Sequence, residues 1–417
     1  MSVISGKDRE VLRELAKKQL ELANSPQMMK LREEWKLHGA FSASSRPMIL
    51  IETPSFEEDI LPPLMRCEGD GARQLERELL LNTVNHTLFG DDTVIKDYMP
   101  VMPHAKMIPF GIEVKWEHVE GATAAASLGH HFITSISDLE QDFHKLGKSR
   151  YGIDWESTRR EHEFKNEIFG DILPVRQAGF SLYCGLTGDI VHIMKMEDMF
   201  TAMYDYPERF HQMMSMLVND YLAYFGLLES ENALLPTLDD CGVCQGSYCY
   251  TNELPAQGTG LKTTDVWGYM DSQETTGVSP DMFAEFMAPY YGRIIERYGL
   301  LSYGCCEAVD PIWDCFLSNL DNLRKLSVSF WADEEFIGER LRGKNIVYMR
   351  KPSPNFLGVG SELDEQAVTA HIEKTVQAAK GCHLEMIQRD VYQINNTPGK
   401  VRRYVELIRK CCEKHQV

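Results

Sequence analysis

Two cysteines and a glutamate stand side by side at Cys305-Cys306-Glu307, directly after the apolar run Leu300-Leu-Ser-Tyr303. Thiolates and carboxylates are ligands that zinc takes, and a catalytic zinc keeps one position open for substrate. Without a metal, the same residues read as two small buried thiols and an acid in need of a partner. Glu385, in the run Cys382-His-Leu-Glu-Met-Ile-Gln388, is a further candidate ligand. Side chains alternate along a strand, so His383 and Glu385 share one face and Cys382 takes the other. Asp271 and Asp390 fall at predicted strand ends, where a carboxyl group can move protons. Arg350-Lys351 puts two cations at another strand end, suited to a substrate carboxylate or to pairing with Glu307 and Glu385. Glu52 closes a strand of its own. Trp267 and Trp331 stand at strand ends, where aromatic walls suit a flat or apolar substrate. Core packing explains the tryptophans equally well.

Two other groups carry less. Cys241-Gly-Val-Cys244 with Cys249 has the form of a metal knuckle but no second pair at normal spacing. It reads as a loop near the mouth of the fold. His130-His131 is an adjacent pair on one loop, poorly placed to grip one ion, and reads as surface.

Such residues need a scaffold that brings strand ends together. Pro47-Met-Ile-Leu-Ile-Glu-Thr-Pro54 reads as a short buried strand between prolines. The second half alternates strand and helix. Ser279-Pro280 supplies a cap and a first helical residue. Strands then fall at 300–307, 324–330, 345–350 and 382–388, with helices at 310–322, 333–342, 362–380 and 398–413 between and after them. Repeated strand–helix units predict a parallel sheet covered by helices. The first half is less regular, with strand candidates near 94–99, 111–116, 180–185 and 264–271. Eight such units would close a (β/α)8 TIM barrel, an α/β fold whose chemistry gathers at the carboxyl ends of the strands. Residues 7 to 36 read as one helix, so residues 1–46 are expected to be an N-terminal helical extension and 47–417 the barrel.

A formal charge of -19 argues against a broad basic face for nucleic acid. No run of about 18 apolar residues predicts a transmembrane helix, and the N-terminus lacks a signal core. A cytoplasmic location without membrane association is the expectation. Eleven cysteines without an export signal argue against a disulfide framework.

The last 140 or so residues carry a resemblance. Gly304-Cys-Cys-Glu-Ala-Val-Asp-Pro-Ile-Trp-Asp314 resembles the His-x-Cys-Gly-Asn-x-x-Pro-Leu-Leu-Asp stretch of the uroporphyrinogen decarboxylase superfamily. Lys351-Pro-Ser-Pro354 is similar to that family's turn after the next-to-last strand. Asn396-Thr-Pro398 with Val401, Tyr404 and Val405 is similar to its closing helix. Asp265-Val-Trp-Gly-Tyr-Met-Asp271 and Phe89-Gly-Asp-Asp92 also fit. The resemblance implies the barrel fold and one of two chemistries. One branch decarboxylates uroporphyrinogen without metal, holding the polycarboxylate with an arginine-rich loop after the first strand. Here that loop is Glu52-Thr-Pro-Ser-Phe-Glu-Glu-Asp59, which is acidic. Arg176-Gln-Ala-Gly-Phe180 looks like the arginine motif but lies far too late in the chain. The other branch consists of zinc-dependent methyltransferases that serve corrinoid proteins. Cys306 matches the family cysteine, while Gly304 replaces the family histidine.

The expectation is therefore a zinc methyltransferase moving a methyl group from a small donor, such as an aryl methyl ether, to a corrinoid protein partner. Cys306, Glu307 and Glu385 would hold the metal, with Asp271 and Asp390 handling protons. The alternatives are a carboxy-lyase using Arg350, Lys351 and an acid, and a non-catalytic corrinoid-binding barrel. The resemblance also implies a homodimer.

Overall fold

The computed structural model describes residues 4–118, 130–256 and 258–415. Its centre is one parallel sheet of seven strands: β1 (Met48–Ile51), β2 (Leu182–Tyr183), β3 (Trp267–Met270), β4 (Leu300–Tyr303), β5 (Leu323–Val328), β6 (Val347–Arg350) and β7 (His383–Gln388). The strand order is β1-β7-β6-β5-β4-β3-β2. From β2 to β7 consecutive strands are neighbours, and β1 lies beside β7 at one edge of the sheet, in register from Met48–Glu385 to Ile51–Gln388. Every residue of β1, β3, β4 and β6 is buried. Parallel strands covered on both faces read as continuous apolar runs for this reason. Helices Glu334–Leu341, Glu365–Ala378 and Pro398–His415 follow the strands as expected.

Three expectations change. The predicted helix over 7–36 is two helices, α1 (Gly6–Ala23) and α2 (Pro26–Gly39). Pro26 cannot continue α1, and Ser25 caps α2 by accepting from the Met28 N–H at 3.2 Å. The predicted helix over 310–322 is two short 3-10 turns, Asp310–Ile312 and Leu317–Asn319, because buried Phe316 leaves helical backbone at φ −142°. In the first half, Met99–Val101 pairs with Val175–Gln177 apart from the sheet. Trp116–His118 pairs with His130–Phe132 as an antiparallel ribbon. The side chains of His130 and His131 lie outside the described residues.

Among the described residues, no strand pairs with the outer edge of β1. Side chains from the segment after the π-turn Asn85–Phe89 take that place. The Ile49 N–H donates to Asp92 Oδ2 at 2.8 Å, and the Asp92 N–H donates back to the Ile49 carbonyl at 2.8 Å. The Ile51 N–H donates to Asp91 Oδ2 at 2.9 Å, and Asn85 Nδ2 donates to the Ile51 carbonyl at 2.8 Å. Burial pushes the Asp91 carboxyl up to about 6. Burial pushes Asp92 the same way, but Arg46 and Arg409 outweigh it and hold that carboxyl below its ordinary range. Arg46 comes from the loop before β1 and Arg409 from the last helix, each 2.8 Å from Asp92 Oδ1. Asp92 also ties in α2, since its carbonyl accepts from Trp35 Nε1 at 2.8 Å.

Asp92→Ala would orphan the buried Ile49 N–H and remove the carboxylate shared by Arg46 and Arg409, which would keep only Glu34 and backbone carbonyls as partners. It should cost about 3 kcal/mol or more in urea denaturation. A loss below about 1 kcal/mol would show that the edge of β1 does not need this carboxylate.

Candidate active site

The carboxyl ends of β3 to β7 converge on one mouth. After β4 the chain turns at Gly304, whose φ of +95° is a conformation that side chains rarely adopt. A Cβ there would also lie 3.1 Å from the Ser327 side chain. The turn puts Cys305 and Cys306 off the strand, so their side chains need not alternate. Their sulfurs lie 3.5 Å apart. The loop is pinned from several sides. Glu307 accepts from the Cys305 N–H at 2.8 Å and from the Ser272 N–H at 2.9 Å. The Cys305 carbonyl accepts from Ser327 Oγ at 2.8 Å and from Lys351 Nζ at 3.1 Å. Cys306 Sγ lies 3.4 Å from Asp390 Oδ2. The hydrogen bond from Cys306 draws the Cys305 thiol below its ordinary range; burial opposes this and Lys351 assists it. Cys306, which keeps the shared proton, goes up for the same reason.

Asp271 ends β3. Its Oδ2 accepts from Tyr269 at 2.6 Å, and its carbonyl accepts from Tyr291 at 2.9 Å. Its Oδ1 is buried without a hydrogen-bond partner. Burial, then the neighbouring Glu307 carboxylate, pushes the Asp271 carboxyl up to about 8. At neutral pH it is a carboxylic acid.

The cations of the mouth are already engaged. Arg389 pairs with Glu52 at 2.7 Å. Arg389 and Lys351 both donate to Gln245 Oε1. Burial brings Lys351 down to about 8. Gln245 is the residue that sequence reasoning missed. It sits at φ +75° in the turn of a short hairpin, Gly242–Val243 with Ser247–Tyr248. The Gln245-Gly246 pair was the available turn signal. The hairpin contains Cys241-Gly-Val-Cys244, expected as a mouth loop, and Cys249 Sγ contacts the Gly242 carbonyl at 3.4 Å.

A cavity of about 710 Å³ opens beside this cluster. Cys306, Glu307 and Glu274 line it, with Val191, Met196 and Trp331 as apolar walls. Trp331 is 70% exposed and fits the expected wall.

Other expected site residues lie elsewhere. Glu385 is fully buried on β7, opposite Met48 of β1 and Met349 of β6, three residues before the strand's carboxyl end at Gln388. It takes Lys325 Nζ at 2.5 Å and Ser247 Oγ at 2.6 Å, with His38 Nε2 at 3.3 Å. Burial pushes its carboxyl up, but Lys325 and His38 outweigh that and hold it down at about 2. It is an interior counter-ion, committed away from Cys306. Glu307 spends both oxygens on backbone N–H groups. The trio expected for zinc is therefore not assembled, and among the described residues no group of three or more His, Cys, Asp or Glu is arranged to hold a metal. Arg350 pairs with buried Glu334 at 2.9 Å and donates to the Ser329 carbonyl at 2.5 Å, so it meets neither Glu307 nor Glu385. Trp267 is 2% exposed, donates to the Cys249 carbonyl at 3.1 Å, and is core.

No family model matches the chain, and no curated protein matches it in sequence. Among the described residues, no helix is long and apolar enough to cross a membrane.

Glu385→Ala would leave Lys325 buried without a counter-charge and should cost about 3–5 kcal/mol in chemical denaturation. Replacing both residues with methionine should recover most of that loss. A double variant no more stable than the single one would show that the pair does more than balance charge.

Asp271 binds its proton more tightly folded than unfolded. Its contribution to stability is present below the unfolded value near 4 and is lost as pH rises towards about 8. Melting curves over that window should therefore shift in favour of Asp271→Asn relative to wild type, on the order of a few kcal/mol in total. Parallel profiles would show that Asp271 titrates normally.

Proposed function

We propose that the seven-stranded sheet, with Met99–Val101 as an eighth strand beyond the side chains that seal the outer edge of β1, is a (β/α)8 barrel of the uroporphyrinogen decarboxylase superfamily. We further propose that the chain is a methyltransferase passing a methyl group from a small methylated donor, an aryl methyl ether above all, to a corrinoid protein. The observation that carries this reading is the raised carboxyl of Asp271, electrostatically joined to Glu307 and Cys305, on a loop cluster whose Cys306 and Glu307 line a largely apolar cavity.

A methyl ether gives up its methyl group only if its oxygen is a competent leaving group. A carboxylic acid still protonated at neutral pH can deliver a proton to that oxygen as the C–O bond breaks. Tyr269 and Tyr291 hold Asp271 in place for that task. Trp331 offers a face for the arene. The corrinoid, on its partner protein, supplies the nucleophile when bound. Zinc does not fit the residues expected to hold it, so no step is assigned to a metal.

Carboxylate recognition, which decarboxylation requires, finds less support. Bidentate recognition needs guanidinium groups free to fork onto the ligand. Arg389 is spent on Glu52 and Gln245, and Arg350 is spent on Glu334. A polyanion would meet Glu274, Glu307 and Asp390 instead.

The test mixes the protein with methyl ethers and reduced cobalamin and follows methylcobalamin by absorbance. Donor-dependent formation is expected, falling as pH passes about 8. Asp271→Asn should lower the rate about 100-fold or more. Carbon dioxide release from a tetrapyrrole carboxylate, with no methyl transfer from any donor, would replace this reading with decarboxylation.

A further inference from the structure

Two features of the Cys305–Cys306 pair go beyond methyl transfer. The first is its geometry. Neighbouring residues in a strand point to opposite faces, yet here the two sulfurs face each other at 3.5 Å because Gly304 has already turned the chain. Among the described residues no other two cysteine sulfurs are in contact, although Cys411 and Cys412 are also adjacent in sequence. The Cys305 backbone is held at both ends, by Glu307 on its N–H and by Ser327 and Lys351 on its carbonyl. The pair is therefore set in place before any ligand arrives.

The second feature is the donor count. The pair offers two soft donors, and among the described residues no group of three or more metal-ligating residues is arranged around it. A zinc site of the open kind takes three protein ligands. Two thiols suit a different centre: a trivalent thiophile that fills its third valence with its own organic group. The cavity of about 710 Å³ beside Cys306, walled by Met196, Val191 and Trp331, has room for that group.

We propose that Cys305 and Cys306 form a chelating dithiol site for organoarsenic(III) compounds, with the organic substituent lodged in the apolar cavity. The site stands whether or not the chain transfers methyl groups. Binding is a substitution without redox change. Two As–O bonds of an arsonous acid break and two As–S bonds form. The two thiol protons leave with the two hydroxides as water, and arsenic stays trivalent.

The probe is phenylarsine oxide, titrated against the reduced full-length chain. Intact mass and free-thiol counting give the readouts. Wild type should take up one equivalent, lose two titratable thiols, and release the arsenical to a dithiol but not to a monothiol. Closing a second bond within one site gains a factor of about 100 or more in affinity over one bond. Cys305→Ser and Cys306→Ser should each lose at least that factor. Cys411→Ser should bind as wild type does, which controls for general thiol reactivity. Circular dichroism and melting curves on each variant separate lost binding from lost fold. Tight uptake that survives in either loop variant, or release by a monothiol, would overturn the chelate. A loss of uptake in Cys411→Ser equal to that in the loop variants would also overturn it.

Discussion

Strand β1 must present its outer edge to something other than a strand, and Asp92 meets that demand. A buried strand edge leaves N–H and C=O groups that cost free energy if unpaired. Asp92 pairs with both groups of Ile49, while Asp91 and Asn85 serve Ile51. A carboxylate in that position is itself a buried charge. Its stability depends on Arg46 and Arg409, and thus on the loop before β1 and on the last helix. Its backbone carbonyl depends on Trp35 of α2. The stretch from Trp35 to Ile49 and the last helix, far apart in sequence, therefore meet at one residue. Because β1 pairs with β7, what fixes β1 also fixes the strand that delivers Arg389 and Asp390 to the mouth.

The hairpin Gly242–Tyr248 carries the same logic through the interior. At one end Tyr250 stacks on Trp35 with ring centres 5.7 Å apart. In the middle Ser247 binds both Glu385 and Lys325. At its turn Gln245 collects Lys351 and Arg389. A polar ladder of this kind is stable only if every rung is satisfied. It ties the helical N-terminal segment to the mouth through side chains whose protonation states are fixed by their neighbours. The mouth is thus supported from within the sheet as well as from the strand ends.

The second half of the chain was legible because its strands are continuous apolar runs separated by capped helices, and that pattern follows from burial on both faces. The site residues β3 and β4 deliver, Asp271, Cys306 and Glu307, were legible for the same reason. The first half was not, because its edge is closed by Asp91, Asp92 and Asn85, and side-chain pairing leaves no periodic trace. Glu385 misled for a related reason. Its position on β7 was readable, but its partner Lys325 lies on β5, on the far side of β6 and some 60 residues away in sequence. Arg350 also took a partner, Glu334, that only the folded chain brings near. Gln245 was hidden because a hairpin folded into the interior looks like any loop containing glycine.

Two groups in one mouth are pushed in opposite directions, and the pushes have separate sources. Asp271 rises because it is buried near other carboxylates, with one oxygen lacking a partner. Cys305 falls because Cys306 donates to it and Lys351 stands near. The thiol is drawn towards its anion while the carboxyl is drawn towards its neutral form, the reverse of the ordinary tendencies of the two groups. Glu307 sits between them, and its charge pushes both groups up, so it opposes the fall of Cys305. Its charge raises Asp271, while its hydrogen bonds to the Cys305 and Ser272 N–H groups hold β3 and β4 in the arrangement that creates the contrast. An acid expected to grip a metal instead sets the protonation of its neighbours, and the chemistry available at this mouth follows from that role.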